Sequence, residues 1–219
     1  MSAKSVAPPE PSSKVAVADD APAATAPPAT GAGWGRFLAR TAFVSLRPRA
    51  FWTKLREGGA VPSTAELLWP HALILTLADG AAVAVGDIIH GHPADVVALH
   101  GALAFATAFL LVIVFALVAR AVVAGRGGAG VNLHEAFAFS VYGLTPLLLL
   151  GILNVIPVKW LSMIIGFIAL PYSFYVLAVG VVPFLRVPER RGAEGAGLLS
   201  AGLLLAWSLT TALAALPTL

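Results

Sequence analysis

The chain has 219 residues, of which 58% are hydrophobic and only 11% are charged, and its mean hydropathy is +0.88. Soluble domains carry about 25% charged residues, so this composition excludes an ordinary soluble fold and predicts an integral membrane protein. The sequence contains no Cys, which excludes disulfide and thiolate chemistry.

The first segment, residues 1–33, is rich in Ala and Pro and has no aromatic residue. Such a segment buries too little apolar surface to offset the entropy lost on ordering. We therefore expect a disordered cytoplasmic tail.

The next segment, residues 34–58, is basic and aromatic, and we expect an amphipathic juxtamembrane segment. A helix with this pattern suits the headgroup layer of anionic lipid. A docking surface for a protein is the alternative. The candidate membrane-interface anchors are Trp34, Arg36, Arg40, Arg47, Phe51 and Trp52.

Residues 59–219 are predicted to form an all-α transmembrane domain, a single bundle of five helices. Each apolar stretch has about 20 residues or slightly more, which crosses roughly 30 Å of hydrocarbon. The predicted spans are about 66–87, 95–120, 134–155, 160–185 and 197–216.

The cations of the sequence predict the orientation of these spans. Thirteen of the 14 Lys and Arg residues fall on one side of a five-span topology, and Lys159 alone falls on the other. Because cytoplasmic segments are enriched in Lys and Arg, we expect a cytoplasmic N-terminus and an external C-terminus.

An acidic residue, Asp79, interrupts the apolar run of the first span, LILTLADGAAVAV. An ionisable group at this depth costs about 2.5–3.5 kcal/mol on insertion scales, so it should face protein or water. With the span ending near Gly86, Asp79 lies about 10 Å from the outer end, and His100 of the second span lies at about 7–8 Å. We therefore predict that Asp79 and His100 form an intramembrane polar pair. A structural role in helix packing, proton or ion coupling, and ligand binding are the alternatives for Asp79.

The connections offer few further candidates. Asn132 and Glu135 have the spacing of a helix N-cap and its capping-box partner. The loop GDIIHGHPAD contains His90 and His92, but its His and Asp residues predict at most weak zinc or copper binding. We predict no resident metal and no cofactor. We also expect no nucleic-acid partner, because the cations follow one membrane face.

Two stretches resemble a known family. SLRPRAFWTKLRE looks like the Pro–aromatic–basic segment that precedes the first span in bacterial members of the Yip-domain family. EAFAFSVYGLTPLLLLGIL resembles the third span of that family, with the motif positions Tyr142, Gly143, Thr145 and Pro146. The resemblance covers residues 40–216 and implies a five-span membrane protein. Eukaryotic relatives bind Rab-type GTPases and act in vesicle traffic and membrane shaping, but their DLYGP motif is absent here, which counts against that role.

No catalytic motif is found in the sequence, so we expect a protein that is not an enzyme. The favoured function is a membrane scaffold or adaptor in a bacterial inner membrane, with lipid and an unidentified membrane or cytoplasmic protein as partners. A homo-oligomer is compatible with this function. The alternative is a small transporter or transporter subunit that uses Asp79 and His100.

Overall fold

The computed structural model describes residues 33–59, 61–125, 130–156 and 158–215, and every regular element in this part of the chain is a helix. The predicted all-α class is therefore confirmed. The tail predicted to be disordered, residues 1–33, lies outside the described residues except for Gly33, which begins the first helix.

The segment predicted to be amphipathic forms two helices. α1 spans Gly33–Leu46, and α2 spans Pro48–Glu57 after a single intervening residue, Arg47. Proline suits the first turn of a helix because that position needs no backbone N–H. We call these two helices the α1–α2 hairpin.

Four or five candidate membrane spans follow the hairpin. Four single helices are long and apolar enough to cross a membrane, and a bent helix pair makes a fifth if it is counted as one span. The first span, α3 (Thr64–Ile89), is kinked within Leu67–Ala72, where Trp69 has extended backbone angles (φ −120°, ψ 120°) and Pro70 cannot donate a backbone hydrogen bond. The others are α4 (Ala94–Ala124), the pair α5 (Leu133–Gly143) and α6 (Thr145–Gly151) with a short turn at Ile152–Val155, α7 (Lys159–Val181) and α8 (Glu189–Ala215).

The first two spans cross at a pair of glycines. A Cβ added to Gly80 would lie 2.7 Å from the carbonyl oxygen of Gly101, so these two backbones approach more closely than any larger residue permits. On α3, Thr76 is fully buried, whereas Leu77 and Ile88 on the opposite side are exposed. The small, polar face of this helix therefore lies inside the bundle.

The long helix α4 packs against α3, α5 and α8. The Ser140 hydroxyl of α5 donates to the Val112 carbonyl of α4 at 2.6 Å, and a Cβ on Gly202 of α8 would clash with Val118. Behind α5, the core continues through Leu177 of α7 to the α1–α2 hairpin. Two polar sites lie at different depths in this bundle.

Candidate functional site

The four family-motif positions lie where the third span breaks. α5 ends at Gly143 and α6 begins at Thr145, and the two helices are bent by 41°. Pro146 lies in the first turn of α6, where proline is tolerated. A Cβ on Gly143 would overlap the Leu177 side chain, so glycine lets α5 pack tightly against α7.

The hydroxyl of Thr145 connects this break to the first span. Thr145 donates to the Val141 carbonyl at 2.9 Å, and its oxygen lies 2.9 Å from Nε2 of His71. Because the threonine hydrogen is already donated, His71 must donate from Nε2, which fixes a tautomer with Nε2 protonated. His71 is only 3% exposed, and its ring packs edge-on against Phe37 and Tyr142.

The α1–α2 hairpin closes the same site from the other side. Trp52 is fully buried, and its indole N–H donates to the Val176 carbonyl at 2.9 Å. Phe51 is also buried, with its ring centroid 4.9 Å from that of Tyr142. The prediction that Phe51 and Trp52 anchor the protein in the membrane interface is therefore wrong. The α5 and α7 helices leave a space that these aromatic rings fill, and that space exists only in the folded bundle.

The remaining predicted anchors lie nearer the surface. Trp34 is 61% exposed, and Arg36 and Arg47 are exposed, so all three are free to meet lipid. Arg40 is partly buried beside the Tyr142 hydroxyl and lines a cavity of about 70 Å³ together with Glu66 and His71. Lipid contact by these residues stays a prediction.

Glu135, which the sequence predicts to be a capping-box partner, also forms ion pairs. The predicted capping box is present, because Asn132 Oδ1 accepts from the Glu135 N–H at 2.7 Å and Glu135 Oε2 accepts from the Asn132 N–H at 3.2 Å. Glu135 Oε1 also accepts from Arg56 of α2 at 3.4 Å and from Arg186 after α7. Glu135 thus joins the hairpin, α5 and the connection between α7 and α8. The sequence shows the three charges but not that they meet.

The predicted pair of Asp79 and His100 is not formed. Nδ1 of His100 lies 2.8 Å from Oδ2 of Asp87. Distance along the helices does not explain this, because Asp79 is ten residues and Asp87 two residues from the end of α3 at Ile89, whereas His100 is six residues from the start of α4. The two carboxylates are therefore offset from His100 by about the same axial distance, and the direction of the side chains decides the pairing. Asp79 Oδ1 lies against Gly151 of α6, whereas Asp87 lies against His100. The polar pair that the transporter alternative would use is not formed.

Asp79 lies instead in a cavity of about 140 Å³ that is lined by residues of α3, α4, α6 and α8. Its Oδ1 atom is buried and has no hydrogen-bond partner among the described residues. Nor do the described His, Asp and Glu residues, including those of the GDIIHGHPAD loop, form any group of three or more that is arranged to hold a metal ion.

Comparison with known proteins identifies the family of this chain. The Yip1 domain model matches residues 43–212, which is most of the chain. The chain belongs to the Yip1-domain family. The match to the Yip1 domain begins inside α1 and includes all of α2, so most of the α1–α2 hairpin falls within the family's matched region.

Among curated proteins, the chain is similar to the inner membrane protein YohC of Escherichia coli, strains K12 and CFT073. The identity is 34% over 61 residues, which covers 28% of this chain and only 31% of each relative. No solved structure matches significantly. The family, the apolar helices and this similarity together support a multi-pass protein of a bacterial inner membrane.

Proposed function

We propose that this Yip1-domain protein is a non-catalytic scaffold that shapes the cytoplasmic half of the inner membrane. The observation that carries the proposal is the position of the α1–α2 hairpin, which enters the bundle from one end and reaches only its middle. The hairpin adds two helices to one half of the molecule and none to the other.

Contacts at the two ends of the hairpin define its depth. At its open end, Gly33 lines a cavity with Glu66 of α3, and Arg56 pairs with Glu135 at the start of α5. At its closed end, the Ser45 carbonyl accepts a hydrogen bond from the hydroxyl of Tyr172, which lies near the middle of α7. Each helix is about 10 Å wide, so the bundle is wider in one leaflet than in the other.

The tip of the hairpin also carries charge. Arg47 and Arg49 are exposed on either side of Pro48. Guanidinium groups below the headgroup layer are accommodated by snorkelling, by local thinning of the bilayer and by entry of water. Both the extra width and these cations act on the leaflet that holds the N-terminal helices. The excess of Lys and Arg on that side favours the cytoplasmic leaflet.

Curvature sorting tests this function. Labelled full-length protein is reconstituted into giant vesicles that contain anionic lipid, and narrow tubes are pulled from them. We expect severalfold enrichment on the tubes over the flat membrane and a clear reduction for Arg47→Leu. Arg190→Leu is the matched control, because Arg190 is exposed at the start of α8, outside the hairpin. Equal densities of the wild-type protein on tube and vesicle would contradict the proposal.

An adaptor function is favoured by a separate surface at the start of α1. Trp34 and Leu38 are about three-fifths exposed and lie next to the exposed Arg36. Apolar side chains beside a cation are typical of protein-docking sites. Removal of residues 1–58 would destroy the core around Trp52, so the better variant is Trp34→Ser with Leu38→Ser.

Copurification from native membranes in mild detergent tests the adaptor function. A partner that is lost from the double variant but retained by Trp160→Ser would support it, because Trp160 is equally exposed at the start of α7. Retention by both variants would exclude this surface. Recovery of only a second copy of the chain would indicate a homo-oligomer.

A further inference from the structure

The cavity around Asp79 is lined by polar side chains from three helices. Besides Asp79, its polar lining consists of Thr107 of α4 and Trp207, Thr210 and Thr211 of α8. Gly151 of α6 also lines it, and a Cβ on Gly151 would overlap Asp79 Oδ1. The absence of a side chain at position 151 is what leaves room for the carboxylate.

The Asp79 carboxylate is incompletely satisfied by the protein. Asn154 is its hydrogen-bonding neighbour, yet Oδ1 remains buried without a partner among the described residues. No Lys, Arg or His is found among the described residues that line the cavity. A buried carboxylate that lacks a compensating charge is strongly unfavourable in a membrane.

The threonines that line the cavity do not donate hydrogen bonds to the Asp79 carboxylate. Thr107 donates to the Leu103 carbonyl at 2.7 Å, and Thr210 and Thr211 both donate to the Trp207 carbonyl, at 3.0 and 2.8 Å. Their hydrogens are therefore directed to their own helices, and their oxygens offer lone pairs to any neighbour. Apart from the indole N–H of Trp207, the polar side chains that line the cavity offer acceptors, and a species that satisfies these acceptors must be a cation or a hydrogen-bond donor.

We propose that the Asp79 cavity binds one monovalent metal cation of the size of Na⁺, together with water. One carboxylate is neutralised by one positive charge, whereas a divalent ion would leave a net positive charge inside the bundle, which is unfavourable at this depth. A volume of 140 Å³ exceeds that of a bare ion, and it has room for about three or four waters at roughly 30 Å³ each. Carboxylate and hydroxyl oxygens are the hard ligands that such ions prefer.

The bound ion has a structural consequence that does not depend on the membrane-shaping function. It connects α3 through Asp79, α4 through Thr107 and α8 through Thr210, three helices that otherwise meet at this cavity without a side-chain hydrogen bond to Asp79 Oδ1. The ion therefore stabilises the folded bundle by mass action, since it binds the folded chain alone. The proposal concerns binding and includes no translocation.

The thermal stability of the purified full-length protein tests this site. The unfolding temperature in neutral detergent is measured against NaCl, with choline chloride keeping the ionic strength constant. We expect a saturable rise with Na⁺, since a concentration one hundred times Kd raises the folded-to-unfolded ratio about 100-fold. Asp79→Asn should abolish the rise, and Thr210→Val should shift it to higher Na⁺. Asp87→Asn should retain it, because Asp87 pairs with His100 outside the cavity.

Three results would overturn the proposal. Na⁺ and choline could have the same effect on the wild type, or Asp79→Asn could respond to Na⁺ as the wild type does. The unfolding temperature could also depend on pH while no cation changes it at any pH, which would show that a proton alone neutralises Asp79. If the variants fail to fold, equilibrium dialysis of radioactive sodium against the wild type decides, with one bound ion per chain expected and none overturning the site.

Discussion

Two polar sites inside the bundle differ in how their hydrogen bonds are arranged. At the break between α5 and α6, His71 donates to Thr145, Thr145 donates to Val141, and aromatic rings surround the imidazole. In the second site, Asp79 shares a cavity with threonines whose hydrogens are already donated to their own helices, and its Oδ1 has no partner among the described residues. The first arrangement connects helices by itself, whereas the second needs a further positive species.

The chemical difference between the two sites is the balance of donors and acceptors. A neutral imidazole carries one donor and one acceptor, so it fits into a chain of hydrogen bonds without a net charge. An ionised carboxylate offers only acceptors, and each of them requires a donor or a cation. Burial of polar side chains therefore indicates helix packing in one case and ligand binding in the other. The variants below test this distinction, from the largest expected effect to the smallest.

The largest effect is expected at Trp52, which connects the α1–α2 hairpin to the site around His71 and Thr145. Trp52→Ala removes a fully buried ring and its hydrogen bond to Val176, and large-to-small changes of this kind cost about 3–5 kcal/mol. The measurement is reversible unfolding in mixed micelles. Trp34→Ala is the control, since exposed positions change stability by about 0.5 kcal/mol or less. Equal losses of stability for Trp52→Ala and Trp34→Ala would show that the hairpin is not part of the folded bundle.

The packing of the hairpin against α7 is tested at a second residue. A Cβ on Gly180 would lie 2.8 Å from the Trp52 ring and 2.9 Å from Phe139, so Gly180→Ala should destabilise by about 1–3 kcal/mol through overpacking. Gly166 lies on the same helix with open space around it, and Gly166→Ala should stabilise slightly because alanine favours helix. The sign of the effect should therefore differ between two identical substitutions measured in the same unfolding assay.

The two polar sites are compared directly by removing one hydrogen-bonding group from each. Thr145→Val leaves the His71 donor unpaired, and hydrogen bonds between membrane helices contribute about 0.6 kcal/mol on average, up to about 1.7. Asp79→Asn, measured without Na⁺, should be neutral or stabilising, because it removes a charge that has no compensating partner among the described residues.

The sign of the change in stability caused by Asp79→Asn decides this comparison. If Asp79→Asn in sodium-free buffer costs as much as Thr145→Val, then the carboxylate already has a donor inside the protein. The two sites would then be chemically alike, and the distinction between packing and binding would be lost.

Much of the bundle could be predicted from the sequence because the membrane imposes a length and a composition on each span. The ends of the predicted spans differ from those of the observed helices by four residues or fewer, except that α8 begins at Glu189, eight residues before the predicted start at 197. The Asn132–Glu135 capping box is local and was predicted. The resemblance at Tyr142, Gly143, Thr145 and Pro146 led to the correct family.

What could not be predicted depends on the register between helices. Phe51 and Trp52 have the composition of an interface helix, and only the space between α5 and α7 buries them. The partner of His100 is Asp87 and not Asp79, although both carboxylates lie about one turn from His100 along the helix axis, because Asp79 Oδ1 faces Gly151 of α6. A pattern of residues along one helix carries no information on how that helix is rotated against its neighbours.

The smallest expected effect, a coupling energy of a few tenths of a kcal/mol, tests that register. Asp87 and His100 are partly exposed, and ion pairs of this kind contribute about 0.2–1 kcal/mol. A double-mutant cycle with Asp87→Asn and His100→Ala should therefore be non-additive, whereas Asp79→Asn and His100→Ala should be additive because the two side chains do not meet. Coupling between positions 79 and 100 instead would show that these two side chains meet. His100 would then be a partner of the Asp79 carboxylate, which the cation site requires to be uncompensated.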